Sequence, residues 1–242
     1  MILWLIISST LMTALALFRW KNPENNHTFG KVYGPLALRI MGIEPRAEGQ
    51  EYLQNRPAVF VANHQSGMDL AAFSSIFPLG AAVIGKKEIR YIPGFGLMFE
   101  AFGNVLINRQ NRSNALGELR ETVALMKKKN MSVFIFPEGT RNPLGEGLLP
   151  FKKGAFYMAI QAQSPIVPMI CSKMEPLVSF RHRYARSGVL VLKVLPPIST
   201  VGLTQADVEL LLKKTRDVMM AELVLLNQRA AAVAAERAAI GE

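Results

Sequence analysis

His64 and Asp69 stand five positions apart in FVANHQSGMDL (60–70), where a mostly apolar run gives way to an asparagine, the histidine and, after four more residues, the carboxylate. A carboxylate bonded to one imidazole nitrogen fixes the tautomer and stabilises the imidazolium, which leaves the other nitrogen as a base near neutral pH. On one continuous helix a separation of five turns the two side chains about 140° apart, so they could not meet. A turn at Ser66 and Gly67, with Asp69 in the first helical turn, lets the carboxylate reach back. A plainer reading stays open at this point: Asp69 caps the helix and His64 packs.

Three further polar clusters fall where apolar runs stop, the place at which ligands collect in α/β sheets. GNVLINR (103–109) ends a strand in Arg109, and FPEGTR (136–141) carries Glu138, Gly139, Thr140 and Arg141 into a turn. A guanidinium offers a planar fork of donors suited to phosphate oxygens, and glycine lets backbone approach a ligand. Taken singly, either arginine is more often a surface charge or a salt bridge. FKKGAF (151–156) is a basic turn containing Lys152, and IVPM (166–169) is a strand broken by Pro168. No G-x-S-x-G elbow, metal-ligand cluster or Walker loop occurs, so a covalent acyl-enzyme has no support. Cys171 is the one cysteine, which excludes an internal disulfide, and its place after IVPMI predicts buried packing rather than a reactive thiol.

The elements that must position these residues follow from periodicity. Strands are predicted at 58–63, 81–85, 104–108, 132–137, 165–170 and 188–195. Helices are predicted at about 68–77, 111–129 and 153–162, with a closing helix from about Thr204 to Ala235 whose alanine-rich end frays. Alternation of strand and helix predicts an α/β domain with a largely buried mixed sheet flanked by helices, preceded by an N-terminal membrane-embedded helical segment. Residues 1–42 read as the membrane anchor and interfacial helix, and 43–242 as the catalytic-size domain. IPGFGLMFEAFG (92–103) either lines an apolar tunnel or packs as an ordinary helix.

Met1 to Phe18 contains no charged side chain and is followed at once by Arg19 and Lys21. With no Lys or Arg ahead of the apolar core, it reads as a retained anchor rather than a cleaved signal peptide. Eighteen residues reach roughly 27 Å, marginal for a span, so a tilted deep insertion stays open beside it. If it spans, the positive-inside rule leaves the remainder in the cytoplasm. A helical pattern over 31–43 suits either an interfacial helix or one docked on the body. The 242 residues carry a formal charge of +10, which points to an anionic partner.

Together and in this order, the four clusters resemble the glycerophosphate acyltransferase family over roughly Ile43 to Pro197. NHQSGMD is similar to its H-x4-D motif. GNVLINR is similar to its second motif at Gly103, Ile107 and Arg109, departing at Leu106 and Asn108, where an aromatic and an acid are more usual. FPEGTR is similar to its third motif without departure, and IVPM to its fourth at Pro168. The resemblance implies transfer of an acyl group from acyl-CoA or acyl carrier protein, as co-substrate, to the hydroxyl of lysophosphatidic acid, giving phosphatidic acid. It implies His64 as general base and Asp69 as its orienting partner. Arg109 and Arg141 would grip the phosphate with Gly139 and Thr140 beside them, and Lys87 and Lys152 would help. Glu138 would lie near the glycerol or order the arginine pair. No metal or bound cofactor is implied. The other expected partners are anionic membrane lipids, nucleic acid is not one, and the expected location is the cytoplasmic side of a bacterial inner membrane. Two rivals remain at this stage: an acyltransferase for another lysolipid such as lyso-ornithine lipid, and a non-catalytic basic membrane adaptor.

Overall fold

Val59 to Ala62 presents four buried apolar side chains in succession. A strand with no wet face belongs inside a sheet covered on both sides. The computed structural model, which describes residues 2–108, 112–144, 146–179 and 182–239, places it there. In chain order the elements are α1 (Ile2–Ala16), α2 (Glu24–Ile40), β1 (Ile43–Glu48), β2 (Val59–Ala62), α3 (Asp69–Ser74), β3 (Ala81–Lys86), α4 (Phe95–Ala101), β4 (Val105–Ile107), α5 (Arg112–Lys129) and β5 (Ser132–Ile135). There follow α6 (Gly154–Ala162), β6 (Ile166–Cys171), a small hairpin of β7 (Val178–Ser179) and β8 (Tyr184–Ala185), β9 (Gly188–Val194) and α7 (Val208–Ala239). Seven strands form one sheet in the order β1-β9-β6-β2-β5-β3-β4, with every neighbouring pair parallel except β6 against β9. The architecture is the expected α/β arrangement around a mixed sheet.

Alternation along the strands sorts their side chains into two cores. Phe60, Ala62, Phe134, Val167 and Met169 join α1, α2, α3 and α4 on one face. Val59, Val61, Val133, Ile166 and Ile170 join α5, α6 and α7 on the other. Pro168 does not break β6. The Pro168 carbonyl accepts from the Leu195 N–H at 2.8 Å, and paired register with β9 starts only at Met169, so the missing donor falls where the ladder has not begun.

One strand of the sheet lies outside the apolar pattern. β1, IEPRAE, alternates charge with smaller side chains because it is an edge strand, where charges and proline are tolerated. Arg229 and Arg237 of α7 pair with Glu48 and Glu44 of β1. Eight helical residues and four strand residues both measure about 12–13 Å, so the two ladders run in step. These pairs, with Ala230 and Val233 against the second core, carry α7 as helix to Ala239, past the point of expected fraying. By length and composition alone, Gln205–Arg237 is also a candidate membrane span. Its Leu211, Thr215, Met219, Leu223 and Leu226 are buried in the body.

α2 begins at Glu24, ahead of the expected 31, and packs one face on the body. Phe29, Tyr33, Ala37 and Leu38 dock on the first core, while Val32, Leu36 and Ile40 stay exposed. A Cβ on Gly34 would stand 2.6 Å from the Ser75 nitrogen, so α2 and α3 approach as closely as their backbones permit. α1 has 15 residues, about 22 Å, short of the ~30 Å hydrocarbon thickness. Ser8, Ser9, Met12 and Ala16 on one flank of α1 are buried, while Ile6, Ile7, Leu11 and Leu15 remain exposed. In the 92–103 segment, Met98, Phe99, Ala101 and Phe102 pack as an ordinary helix, and Ile92 and Leu97 are exposed, as is Tyr91 just before it.

Candidate active site

The site begins where β2 stops. Asn63 takes over from the ladder with its side chain: its amide donates to the Cys171 carbonyl and its oxygen accepts from the Cys171 N–H, both at 2.9 Å. Gln65 donates to the carbonyls of Cys171 and Ser172 and accepts from the Met174 N–H, each at 3.0 Å. The residues on both sides of His64 are therefore fastened to the end of β6. Neither was singled out from sequence, although two amides flanking a histidine after an apolar strand are a readable signal.

The chain then turns through Ser66 and Gly67, with the Ser66 hydroxyl accepting from the Met68 N–H at 3.0 Å. Asp69 opens α3. Its Oδ2 lies 2.5 Å from His64 Nδ1 and also accepts from the N–H groups of Gln65 (2.7 Å) and Ser66 (3.0 Å). These donors precede the helix, so Asp69 holds the turn and the ring and does not cap its own helix. Asp69 is 1% exposed, against 20% for the His64 side chain. With Nδ1–H given to Asp69, Nε2 is the basic nitrogen.

Phe136, at the end of β5, lies face to face with the His64 ring, centroids 4.0 Å apart and planes 14° from parallel. Phe73 and Phe134 hold Phe136 edge-on at 6.0 and 5.2 Å. The stack fixes the imidazole plane. Phe136→Leu is expected to lower turnover about threefold to tenfold, corresponding to ~1 kcal/mol of lost ring stacking and orienting contact. Steady-state rates with unchanged acceptor KM would establish this, and equal turnover would exclude it.

The following residues grip the backbone of His64. Glu138 Oε1 accepts from the His64 N–H at 2.8 Å and Oε2 from the Leu149 N–H at 2.9 Å, and the Asn142 N–H donates to the His64 carbonyl at 2.7 Å. In place of the expected contact with glycerol or an arginine pair, both Glu138 oxygens are committed to backbone. Burial pushes its carboxyl above the usual range, partly offset by the two N–H donors. Gly139 supports the turn with a left-handed φ of 72°.

Because β2, β5 and β3 are parallel, their carboxyl ends share one edge of the sheet. His64, the 138–141 turn and Lys87 therefore open on that edge. Thr140, Arg141, Lys87 and Lys152 are exposed, and the Lys152 N–H is tied to the Pro137 carbonyl at 2.7 Å. Arg109 lies outside the described residues. No group of three or more His, Cys, Asp or Glu able to hold a metal ion occurs among the described residues. Cys171 is fully buried, which pushes its thiol well above the ordinary value and suits packing. The arrangement offers a fixed base and exposed cations on one rim, a combination suited to deprotonating a hydroxyl on an anionic molecule.

Comparison with known proteins gives a consistent result. A family profile described as acyltransferase matches residues 44–172. The chain is 33% identical to a 1-acyl-sn-glycerol-3-phosphate acyltransferase of Escherichia coli, covering 100% of this chain and 96% of that one. It is 36% identical to a protein of the same description from Saccharomyces cerevisiae over 75% of this chain, and spans 60% of that longer relative. The crystal structure of the 1-acyl-sn-glycerophosphate (LPA) acyltransferase PlsC from Thermotoga maritima superposes with a TM-score of 0.71. It is 26% identical and covers 90% of this chain and 94% of that one.

Proposed function

The chain belongs to the acyltransferase family, and from that premise we infer that it acylates 1-acyl-sn-glycerol 3-phosphate to give phosphatidic acid. The observation that carries the mechanism is the bond from His64 Nδ1 to Asp69 Oδ2, which leaves Nε2 on the same sheet edge as the 138–141 turn. Nε2 takes the proton of the acceptor's sn-2 hydroxyl as its oxygen attacks the thioester carbon of the donor. The tetrahedral intermediate collapses with loss of the thiolate, which recovers the proton from the imidazolium. Asp69 holds the ring and balances its charge in between. The acyl group passes directly from sulfur to oxygen, so the step needs no metal or organic cofactor.

Arg141 and Arg109 bind the acceptor phosphate, with Lys87 and Lys152 adding positive potential. The donor is an acyl thioester of coenzyme A or of acyl carrier protein. The exposed apolar residues of α1, α2 and the segment before α4 seat the chain on a membrane. This is the cytoplasmic face of a bacterial inner membrane, where anionic lipids surround the acceptor.

Purified full-length protein, assayed with lysophosphatidate and with a lyso-ornithine lipid as acceptors, tests this reading. A charge-assisted phosphate contact is worth about 1.5–3 kcal/mol. Arg141→Ala is therefore expected to lower kcat/KM for lysophosphatidate by roughly 10–150-fold, with little effect on the zwitterionic acceptor. A native preference for lyso-ornithine lipid would overturn the choice of acceptor.

A further inference from the structure

We propose that the β7–β8 hairpin is a headgroup-binding element: Arg183 and Arg186 meet the phosphates of anionic lipids while the apolar stripe of α2 enters the interface beside them. This rests on reading the chain as a membrane-seated acyltransferase, and names the contact that orients it.

The first support is charge. Pro176 to Ala206 contains no Asp or Glu but holds Arg181, His182, Arg183, Arg186 and Lys193. His182, Arg183 and Arg186 are exposed. Arg19, Arg46, Arg90, Arg229 and Arg237 are all in ion pairs, whereas Arg183 and Arg186 make none among the described residues. The Arg186 guanidinium lies 4.7 Å above the Tyr184 ring. The Tyr184 hydroxyl is in turn held by the Glu175 carbonyl at 2.5 Å and its carboxylate at 3.1 Å. That carboxylate is also 4.0 Å from Lys173. The stack supports the guanidinium and leaves its donors for a ligand. Arg183 sits at φ 55°, a conformation that Gly or Asn fills at less cost.

The second support is position. The Gly188 N–H donates to the Gly42 carbonyl at 3.1 Å, so the hairpin returns beside the turn that ends α2. Exposed Val32, Leu36 and Ile40 recur every fourth residue along α2 and lead to that turn. Lys31 and Arg39 are exposed on the same helix and unpaired among the described residues. Val178 lies in the same core as α1 and α2, and Met174, before the hairpin, is bonded to Gln65 next to His64. Aliphatic residues interleaved with cations match a bilayer surface; an acidic protein would need only the cations.

At a surface of anionic lipid each arginine contributes about fivefold to partitioning, so neutralising both costs roughly 30-fold at low salt. The test is flotation of the full-length chain with vesicles of phosphatidylcholine alone or mixed with phosphatidylglycerol. It compares native protein with Arg183→Gln/Arg186→Gln, Leu36→Ser/Ile40→Ser and, on the opposite face, Lys213→Gln/Lys214→Gln. The arginine pair is expected to lose about 30-fold on anionic vesicles, nothing on neutral ones, and less as salt rises. The lysine pair should match native. Should Gln lower the melting temperature, Arg183→Lys/Arg186→Lys decides, since retained charge should retain binding. Native affinity of the arginine pair for anionic vesicles overturns the proposal, even where loss in the α2 variant upholds membrane seating. The same holds if that pair binds vesicles normally but shows a raised KM for an acyl group carried on an acidic protein. Native protein binding neither vesicle would overturn the membrane reading itself.

Discussion

His64→Ala is expected to lower kcat by about 10²–10⁴-fold, the range of a positioned general base, with little change in KM for lysophosphatidate. Removing the imidazole leaves the exposed cations of the rim in place but gives the hydroxyl proton no acceptor. Asp69→Asn should do less. Oδ2 alone takes the bonds from His64, Gln65 and Ser66, while Oδ1 is buried without a partner among the described residues. An asparagine can keep its oxygen on all three donors and turn its NH₂ into the Oδ1 position, preserving ring orientation while losing the charge. A charge-assisted bond exceeds a neutral one by about 1–2 kcal/mol, hence roughly a 10-fold fall. Single-turnover rates of both variants with one acyl thioester separate the roles. Equal turnover by native and His64→Ala protein would remove His64 from the chemistry. A deeper loss in Asp69→Asn than in His64→Ala would mean that Asp69 acts mainly by holding the turn.

The sheet was readable where strands are buried on both faces. VFVA, SVFI and IVPMIC are continuous apolar runs because β2, β5 and β6 are covered by helices on either side. β1 was not readable, since an edge strand clamped by arginines from α7 selects for Glu44 and Glu48 rather than for apolar residues. The β7–β8 hairpin was hidden for a similar reason: two short strands with exposed cations carry no periodicity. Around His64, spacing was informative because helix geometry forbids a meeting over five residues, which makes the Ser66–Gly67 turn necessary for the bond to Asp69. Asn63 and Gln65 were not legible as anchors, because their partners are backbone groups of Cys171, Ser172 and Met174, more than a hundred residues away. The carboxylate of Glu138 was misplaced for the same cause. In FPEGTR it looks like a ligand-facing acid, and only the fold brings the His64 and Leu149 N–H groups to its two oxygens.

That placement makes Glu138 the residue whose loss couples stability to catalysis. Glu138→Ala leaves two N–H groups without their acceptor, at about 1–3 kcal/mol for each that stays unsatisfied. It also releases the backbone of His64, so kcat should fall together with the urea midpoint. Glu138→Gln can still accept from one N–H but sets an NH₂ against the other, so it should lie between native and Ala in both measures. The pH dependence follows from burial, which raises the carboxyl's pKa above the ordinary glutamate value and outweighs the lowering by the His64 and Leu149 N–H bonds. Between those two pKa values the folded chain holds a proton that the unfolded chain has released. Stability from this linkage is therefore fully present below the ordinary value and is lost as pH rises through the raised one. Glutamine does not titrate, so the stability of native protein minus that of Glu138→Gln should be largest in acid and decline across this window. Urea titrations of both proteins from below the ordinary glutamate value to neutrality measure that difference directly. A difference that grew with pH would show that the two N–H bonds favour the carboxylate more than burial disfavours it, and that Glu138 grips His64 most tightly when ionised.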